Sequence, residues 1–238
     1  MNDKVISKKN GVQNNNSKII IKKFTRPATI ISLGLLFIII FCAVLAPFLA
    51  PTNPYDLKVV SILDSRLSPG DSMFNGNVAW LGTDGAGRDV LSAIIYGLRT
   101  SLIVAICSAL IALTIGLIVG LISGFYGGKI DSFLMRVVDI QLSFPAILVA
   151  LVLLALLGKG IDKVIIALAI VQWAIYARTV RAAAIVERNK EYIQAASCLG
   201  LSDFFIIWKH LLPNSISPLI VLATLQTAHS ISIEATLS

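Results

Sequence analysis

The chain has 238 residues, of which 56% are hydrophobic and 14% are charged, whereas about 25% of residues in soluble domains are charged. The mean hydropathy is +0.85 and the formal net charge is +7. These values exclude a soluble globular domain and a disordered chain, and they favour an all-α, polytopic membrane protein.

Basic residues are concentrated at the start of the chain, where seven of the 20 Lys and Arg residues lie within residues 1–26. Positive charge directly before a long apolar run sets the orientation of a first membrane helix. We therefore predict a cytoplasmic basic tail at 1–26, and we do not expect nucleic acid as a partner. Residues 10–17 are polar and of low complexity, which predicts that the tail is partly disordered.

Five apolar stretches are candidates for membrane-spanning helices, because crossing the hydrocarbon core takes about 20 apolar residues. Charged residues limit each stretch, since a charge at mid-bilayer is costly. The first stretch is longer than the apolar part of a signal peptide, so we predict an uncleaved helix. The predicted spans, together a helical bundle, cover about 28–50, 100–123, 140–158, 163–181 and 214–236.

The second predicted span carries Gly116, Gly120 and Gly124 at four-residue spacing. Small residues on one face let another helix approach closely, so this pattern favours helix packing over a ligand site. The segments 1–26, 124–139 and 178–213 together hold 14 of the 20 Lys and Arg residues, which predicts a cytoplasmic N-terminus.

The long segment 51–99 is then an outer loop, and within it Gly82, Asp84, Gly87, Arg88 and Asp89 form a compact motif. A phosphate-binding loop would need a following Gly-Lys-Ser/Thr, which is missing. We favour a turn closed by the two carboxylates, with Arg88 paired to one of them. Apolar residues at helical spacing over 90–98 then predict a separate amphipathic helix on the membrane surface.

The inner segment 182–213 is too polar to span the membrane. Its pattern predicts one helix over 181–197, an end at Gly200, and a second short helix capped by Ser202 or Asp203 that ends at Leu212-Pro213. Its aromatic residues either form an exposed docking surface or pack back on the membrane domain, and the pattern alone leaves both possibilities open.

Three motifs carry a resemblance to a known family. Gln194-Ala195-Ala196, with Gly200 four residues on and Leu212-Pro213 after it, resembles the Glu-Ala-Ala loop of ABC importer permeases. Gln194 replaces the usual Glu, and His210 replaces the usual Ile. The motif at 81–89 and the last five residues resemble segments of the dipeptide, oligopeptide and nickel branch, whose members continue through a sixth helix. This chain lacks that helix, so we expect it to be truncated.

The resemblance implies a non-catalytic permease domain over 27–238 in a bacterial plasma membrane. It implies two ATP-binding subunits, a second homologous permease and an extracytoplasmic solute-binding protein as partners, in addition to the lipid bilayer. No cofactor is expected on this chain, and ATP with Mg²⁺ is expected on the ATPase. Peptides are the expected cargo, with nickel or metal chelates left open.

The resemblance also implies roles for single residues in a cytoplasmic ATPase-coupling loop at 182–213. Ala195 and Ala196 would make a tight helix contact, Gly200 would form an elbow, and Leu212 and Pro213 would lock the loop to the fifth helix. Gln194 could offer the ATPase only a neutral hydrogen bond, where Glu offers a charged one.

Polar residues on one face of the fifth predicted span make Gln226, His229 and Glu234 candidates for lining a transport pathway. Alternatively, His229 is bonded within the bundle and Glu234 is simply hydrated near the interface. Two His and three Cys do not cluster at metal-ligand spacing, so no metal site is predicted. The rival functions are an ion-gradient-driven secondary transporter and a membrane-embedded enzyme.

Overall fold

The computed structural model describes residues 27–56 and 59–237, and in these residues the regular structure is helical apart from two isolated β-bridges in the loop before α3. The predicted basic tail lies outside the described residues. The chain divides into two units, and the boundary along the sequence lies between Arg99 and Thr100. The helices are α1 (Pro27–Val44), α2 (Ala46–Leu49), α3 (Val90–Tyr126), α4 (Gly128–Ser143), α5 (Ala146–Leu157), α6 (Ile161–Arg188), α7 (Glu191–Cys198), α8 (Asp203–Ile206) and α9 (Leu212–Leu237).

Four helices are long and apolar enough to cross a membrane, or five if the bent pair α4–α5 counts as one span. The first is α1, most of whose large apolar side chains are exposed, as a lipid-facing helix requires. The predicted first span, about 28–50, corresponds to α1 followed by the short α2. The helix stops at Val44 and a short second helix follows, because Pro47 has no amide hydrogen to donate to the preceding turn.

The helix α3 begins ten residues earlier than the predicted second span and is 37 residues long. The separate surface helix predicted over 90–98 is therefore wrong. Nothing between Leu98 and Thr100 interrupts helical hydrogen bonding, so the amphipathic turns run directly into the apolar ones. Asp89 caps the start of α3, since its Oδ2 accepts hydrogen bonds from the Ser92 amide at 2.9 Å and from the Ser92 hydroxyl at 2.6 Å.

In the second unit, α6 is the most buried of the candidate spans, with half of its most apolar window inside the protein. Its side chains Tyr176 and Val180 pack with Ala112 and Leu121 of α3 and Leu219 of α9. This central position explains why α6 tolerates polar residues that shortened the fourth predicted span. Its neighbours shield them from lipid.

The glycine face of α3 packs directly on α6, which confirms the packing interpretation. A Cβ on each glycine would lie only 2.4–2.6 Å from a Cβ of α6, in the pairs Gly116–Tyr176, Gly120–Val180 and Gly124–Ala184. Real Cβ atoms do not approach so closely, so only glycine allows this contact. Because the paired numbers rise together, the two helices run parallel.

The predicted span 140–158 corresponds to the end of α4 and to α5, a bent pair that can count as one broken span. Helices α4 and α5 are bent by 89° at Phe144 and Pro145. Proline disfavours helical geometry in the residue before it, and Phe144 is accordingly extended, with φ −95° and ψ 141°. At 1.5 Å per residue, the 12 residues of α5 cover only about 18 Å.

The segment after α6 also differs from its prediction. The helix predicted over 181–197 is interrupted at Asn189 and Lys190, where Lys190 is extended. The predicted end at Leu212-Pro213 is wrong as well, because α8 continues through a π turn (Ile207–Leu211) into α9. A π turn lets the chain pass Pro213, which has no amide hydrogen to donate, without ending the helix.

Candidate functional site

The connection between α7 and α8 turns sharply at Gly200, whose φ is +75°. Its amide bonds to the Ser197 carbonyl at 3.0 Å, and the next amide, of Leu201, bonds to the Ala196 carbonyl at 3.3 Å. A Cβ at position 200 would have no atom within 4 Å. Glycine is therefore favoured there by the positive φ and not by lack of space. Of the two predicted caps of α8, the structure selects Ser202, whose hydroxyl accepts from the Phe205 amide.

A small apolar core holds α7 and α8 together. Ile193, Ala196 and Ile206 are buried in it, and Phe125 at the end of α3 packs against them. Ala196 therefore makes the close contact predicted for the Ala-Ala pair, whereas Ala195 is exposed. Ala195 lies 100° away around the helix axis and does not face this core, so its predicted contact stays a prediction. Gln194 is also exposed, so its amide faces away from this core.

We call the three most exposed large apolar side chains of this segment the docking surface. Leu199 is 80% exposed, Phe204 71% and Trp208 55%. The rings of Phe204 and Trp208 contact each other, with centroids 5.9 Å apart. The sequence left open whether these aromatic residues are exposed or pack back on the membrane domain, and the structure favours exposure. Beside it, an open hollow of about 510 Å³ is lined by Gln194, Cys198 and Tyr126, among others.

A polar cluster connects this segment to the membrane helices. Glu187, near the end of α6, is buried and accepts hydrogen bonds from the Tyr192 hydroxyl and from Lys190 Nζ at 2.7 Å. Asn214 of α9 donates to the Tyr192 hydroxyl at 3.0 Å. Burial, with the adjacent Glu187, raises the pKa of Tyr192 to about 12, so the hydroxyl stays protonated and donates to Glu187.

The contact predicted to fix the loop to the fifth helix at Leu212-Pro213 lies within this region, but a different residue makes it. Leu211, the last residue of the π turn, is fully buried in the main core, and Leu212 packs only partly against it. Pro213 is exposed. The buried anchor is thus one residue earlier than predicted, because the π turn rotates the chain ahead of α9.

The outer-loop motif is a closed turn, as the favoured interpretation has it. Asp84 accepts hydrogen bonds from the amides of Ala86 and Arg88, and Arg88 Nη2 lies 2.7 Å from its carboxylate. Burial raises the pKa of Asp84, but the hydrogen bonds and charge of Arg88 outweigh it, so the net pKa is below its usual range.

Gly87, at φ +80°, is required, because a Cβ there would lie 1.9 Å from the Ser61 carbonyl oxygen. Glycine is also required at position 82, because a Cβ there would lie 2.6 Å from the Leu67 carbonyl oxygen.

The three candidate pathway residues lie in two different environments. Glu234 accepts a hydrogen bond from the Ser101 hydroxyl of α3 at 2.7 Å, so it is not simply hydrated. Gln226 is buried, and it lines a cavity of about 40 Å³ together with His229. His229 is exposed elsewhere on its surface.

The same cavity contains a residue that the sequence analysis missed. Gln172 of α6 is 1% exposed, and its Nε2 donates to the Ser230 hydroxyl at 2.8 Å. The Oε1 atom of Gln172 and the Nε2 atom of Gln226 are both buried without a hydrogen-bond partner among the described residues. A buried polar group left in this state costs about 1–3 kcal/mol. The sequence feature that could have identified Gln172 is its position in the middle of the fourth apolar stretch.

Several charged groups in the described residues form ion pairs. In 27–56 and 59–237, no group of three His, Cys, Asp or Glu residues is placed to hold a metal ion. Arg181 of α6 pairs with Asp131 of α4, and Arg178 pairs with Asp139. The role of Asp131 was not predicted.

Comparison with known proteins decides the family. Residues 112–238 match the family described as binding-protein-dependent transport system inner membrane component. Residues 21–69 match the N-terminal transmembrane domain of oligopeptide transport permease C. The chain belongs to this family of inner-membrane permeases. The resemblance to the peptide branch is thereby confirmed, and the apolar helices of the permease make it a multi-pass inner-membrane protein.

Named relatives of the permease include three bacterial proteins. It is 38% identical over 201 residues to the di/tripeptide transport system permease protein DppC of Pseudomonas aeruginosa, covering 83% of this chain and 65% of the relative. It is 37% identical over 206 residues to the dipeptide transport system permease protein DppC of Bacillus subtilis, covering 85% and 62%. It is 35% identical over 217 residues to the glutathione transport system permease protein GsiD of Pectobacterium atrosepticum, covering 91% and 70%. The permease thus spans about two thirds of the length of these relatives.

A solved structure supports the fold. A chain of the MetNI methionine ABC transporter, in an inward-facing conformation, matches the permease with a TM-score of 0.54 and 23% identity. The match covers 60% of the permease and 72% of that chain. It shows a shared helical fold.

Proposed function

We propose that this permease is a membrane-spanning subunit of an ATP-driven ABC importer and forms half of a pathway for peptides. Its named relatives transport dipeptides, tripeptides or glutathione, which favours peptides over nickel or metal chelates. The chain itself is non-catalytic in this proposal and binds no cofactor. ATP with Mg²⁺ is held by two separate ATP-binding subunits.

The docking surface is the observation that carries this proposal. Three large apolar side chains, Leu199, Phe204 and Trp208, are each more than half exposed on this short segment. Such a patch is unfavourable in water unless a partner covers it. We propose that an ATP-binding subunit covers it, since the spacing of Gln194, Ala196 and Gly200 matches the coupling loop of ABC importer permeases.

The packing around the docking surface suggests how movement is transmitted. The buried Ile193, Ala196 and Ile206 fix α7 and α8 to each other, so the segment moves as one body. Glu187, Tyr192 and Asn214 tie that body to α6 and α9 by hydrogen bonds. ATP-driven closure of the ATP-binding subunits would therefore shift both helices together and switch the pathway between inward-facing and outward-facing states.

The remaining partners and the orientation belong to the same proposal. The parallel contact of α3 with α6 supports a topology in which the second and fourth spans run in one direction. With a cytoplasmic N-terminus, both run inward, and α7 and α8 face the cytoplasm. The folded loop at 81–89 then faces outward, where a solute-binding protein delivers peptide, and a second homologous permease completes the pathway.

A matched pair of substitutions tests the proposal in the full-length protein expressed with its neighbouring subunits. Phe204→Ser removes a side chain of the docking surface that is 71% exposed, whereas Ile62→Ser removes an apolar side chain that is 82% exposed from the outer loop. We expect Phe204→Ser to reduce co-purification of the ATP-binding subunits and ATP-driven dipeptide uptake at least tenfold, and Ile62→Ser to leave co-purification unchanged. Uptake that follows an ion gradient and persists without ATP would favour the secondary-transporter alternative.

A further inference from the structure

We infer that three apolar side chains of the outer loop, Ile62, Leu63 and Phe74, insert into the surface of the lipid bilayer beside the end of the first membrane helix. We call them the apolar edge, and they are 82%, 77% and 79% exposed. Large apolar side chains grouped on a surface are unfavourable in water unless something covers them. The inference goes beyond the proposed function and requires only that α1 spans the membrane.

One hydrogen bond holds the two parts of the apolar edge together. The Phe74 amide donates to Asp64 Oδ1 at 2.8 Å, and Asp64 directly follows Ile62 and Leu63 in the chain. Asp64 is 5% exposed, so its carboxylate is not presented at the surface. The three side chains also line one open hollow of about 540 Å³, and the described residues around that hollow are all uncharged. The apolar edge is therefore a continuous surface without a charged side chain among the described residues that form it.

Asn77 connects the apolar edge to the end of the first membrane helix. The Met73 amide bonds to the Asn77 carbonyl at 2.8 Å and closes a tight turn that contains Phe74. Asn77 Nδ2 donates to the Pro51 carbonyl at 3.3 Å. Pro51 directly follows α2, where Phe48 is 86% exposed and continues the apolar surface of α1. The apolar edge thus lies within one tight turn of the point where the chain leaves the membrane.

The two ends of the outer loop are also joined, which keeps the loop close to that point. The Thr52 amide donates to the Ser92 hydroxyl at 3.1 Å, and the rings of Tyr55 and Tyr96 contact each other with centroids 6.0 Å apart. Tyr and Trp are enriched where a membrane meets water. Tyr55 is 62% exposed, and Trp80 of the same loop is 66% exposed. The composition of the loop surface is thus typical of a membrane interface.

The hydrogen bonds of the apolar edge favour lipid over a protein partner. The Leu63 amide donates to the Ser61 hydroxyl at 3.3 Å, and the Phe74 amide is bonded to Asp64. A segment that leaves water must satisfy such groups internally, because hydrocarbon offers them no partner. A protein partner would instead add hydrogen bonds of its own, about one per 100–200 Å² of interface. Two amides of this edge are already occupied, so we assign it to the bilayer rather than to a solute-binding protein.

Fluorescence quenching in lipid nanodiscs tests this assignment. The full-length protein, assembled with its partner subunits, is placed in nanodiscs of phosphatidylethanolamine and phosphatidylglycerol. A fluorophore is attached at Leu63→Cys in a protein whose Cys42, Cys107 and Cys198 are replaced by Ala. Acrylamide quenches the label from water, and a nitroxide-labelled lipid quenches it from the membrane. Both faces of a nanodisc are open to the reagents, so the result does not depend on which side the loop occupies.

Ser68→Cys is the matched control, since Ser68 is exposed in the same loop but lies beside a charged residue. Its amide donates to Asp71 Oδ2 at 2.9 Å, and Asp71 is exposed. We expect acrylamide to quench the label at position 63 about threefold less than at position 68, and the nitroxide lipid to quench it about threefold more. Equal quenching at the two positions by both reagents would overturn the inference.

A second variant tests whether the apolar side chains cause the insertion. Phe74→Ser in the Leu63→Cys protein should lower quenching by the nitroxide lipid about twofold, because less apolar area is then buried in the bilayer. Unchanged lipid quenching in this variant would overturn the inference. Protection of position 63 from acrylamide only after a solute-binding protein is added would also overturn it and assign the edge to that protein. None of these measurements uses transport or ATP, so failure of the proposed function would be seen separately, as absent ATP-driven uptake.

Discussion

Arg181 holds Asp131 at two points, with Nε 2.5 Å and Nη2 2.6 Å from the two carboxylate oxygens. Ser123 of α3 donates to the same carboxylate, so three helices meet at one ion pair. The pair is partly buried, and its planar geometry suits Arg rather than Lys. This contact explains how α6 accommodates charged residues while it packs against α3, α4 and α9.

Asp131→Asn should destabilise the permease by about 1–3 kcal/mol, because it leaves the Arg181 guanidinium partly buried without its counter-charge. Thermal unfolding of the purified protein in detergent measures the effect. Asp139→Asn is the control, since the Arg178–Asp139 pair is exposed on both sides. Its loss should cost less than about 1 kcal/mol. Equal shifts in the two variants would show that the Asp131 contact has no special role.

Gly120→Ala should lower stability by about 1–3 kcal/mol, because the new Cβ would lie 2.5 Å from Val180 Cβ and push α3 away from α6. The same melting assay applies. Gly97→Ala, on the same helix but with no atom within 4 Å of the new Cβ, should be neutral or stabilising by up to about 1 kcal/mol. A neutral Gly120→Ala would contradict the close packing of these helices.

Gly200→Val should impair coupling, because a β-branched residue is strained at φ +75°. Gly200→Asn should retain most activity, since Asn adopts this conformation more readily. We expect ATP-driven uptake to fall at least fivefold in Gly200→Val while membrane insertion and protein amount stay normal. Normal uptake in Gly200→Val would count against an elbow at this position.

Tyr192→Phe removes the hydroxyl that donates to Glu187 and accepts from Asn214. The docking surface itself is unchanged, so the ATP-binding subunits should still co-purify. Uptake per assembled complex should fall several-fold, because the link from α7 to α9 is weakened. Loss of co-purification instead would mean that Tyr192 shapes the docking surface rather than transmitting its movement.

The apolar runs and the positions of Lys and Arg were sufficient to predict a helical membrane protein. The glycine spacing predicted a close helix contact but not that α6 is the partner. Periodicity could not locate the true ends of the helices. The runs at 90–98 and 100–123 look separate because Arg99 divides them, yet one charge does not interrupt backbone hydrogen bonding. Pro145 marks a break between two helices, whereas helical structure continues past Pro213, which follows a π turn.

The candidate site was predicted in part. Gly200 and the Asp84–Arg88 turn depend on local geometry, which short motifs determine. The Glu187–Tyr192–Asn214 cluster and the Gln172–Ser230 bond join residues far apart in sequence or on different helices, so spacing along the chain contains no sign of them. Ala195 and Ala196 are equivalent as a motif, and only the packing of Ile193 and Ile206 distinguishes the buried one.

The central claim is that the docking surface binds an ATP-binding subunit, and site-specific cross-linking in native membranes tests it most directly. A photo-reactive phenylalanine analogue is placed at position 204 of the full-length protein, with position 62 as the control. The account predicts a cross-linked product with an ATP-binding subunit from position 204 and none from position 62. Cross-links from position 204 only to lipid or within the permease would contradict the account.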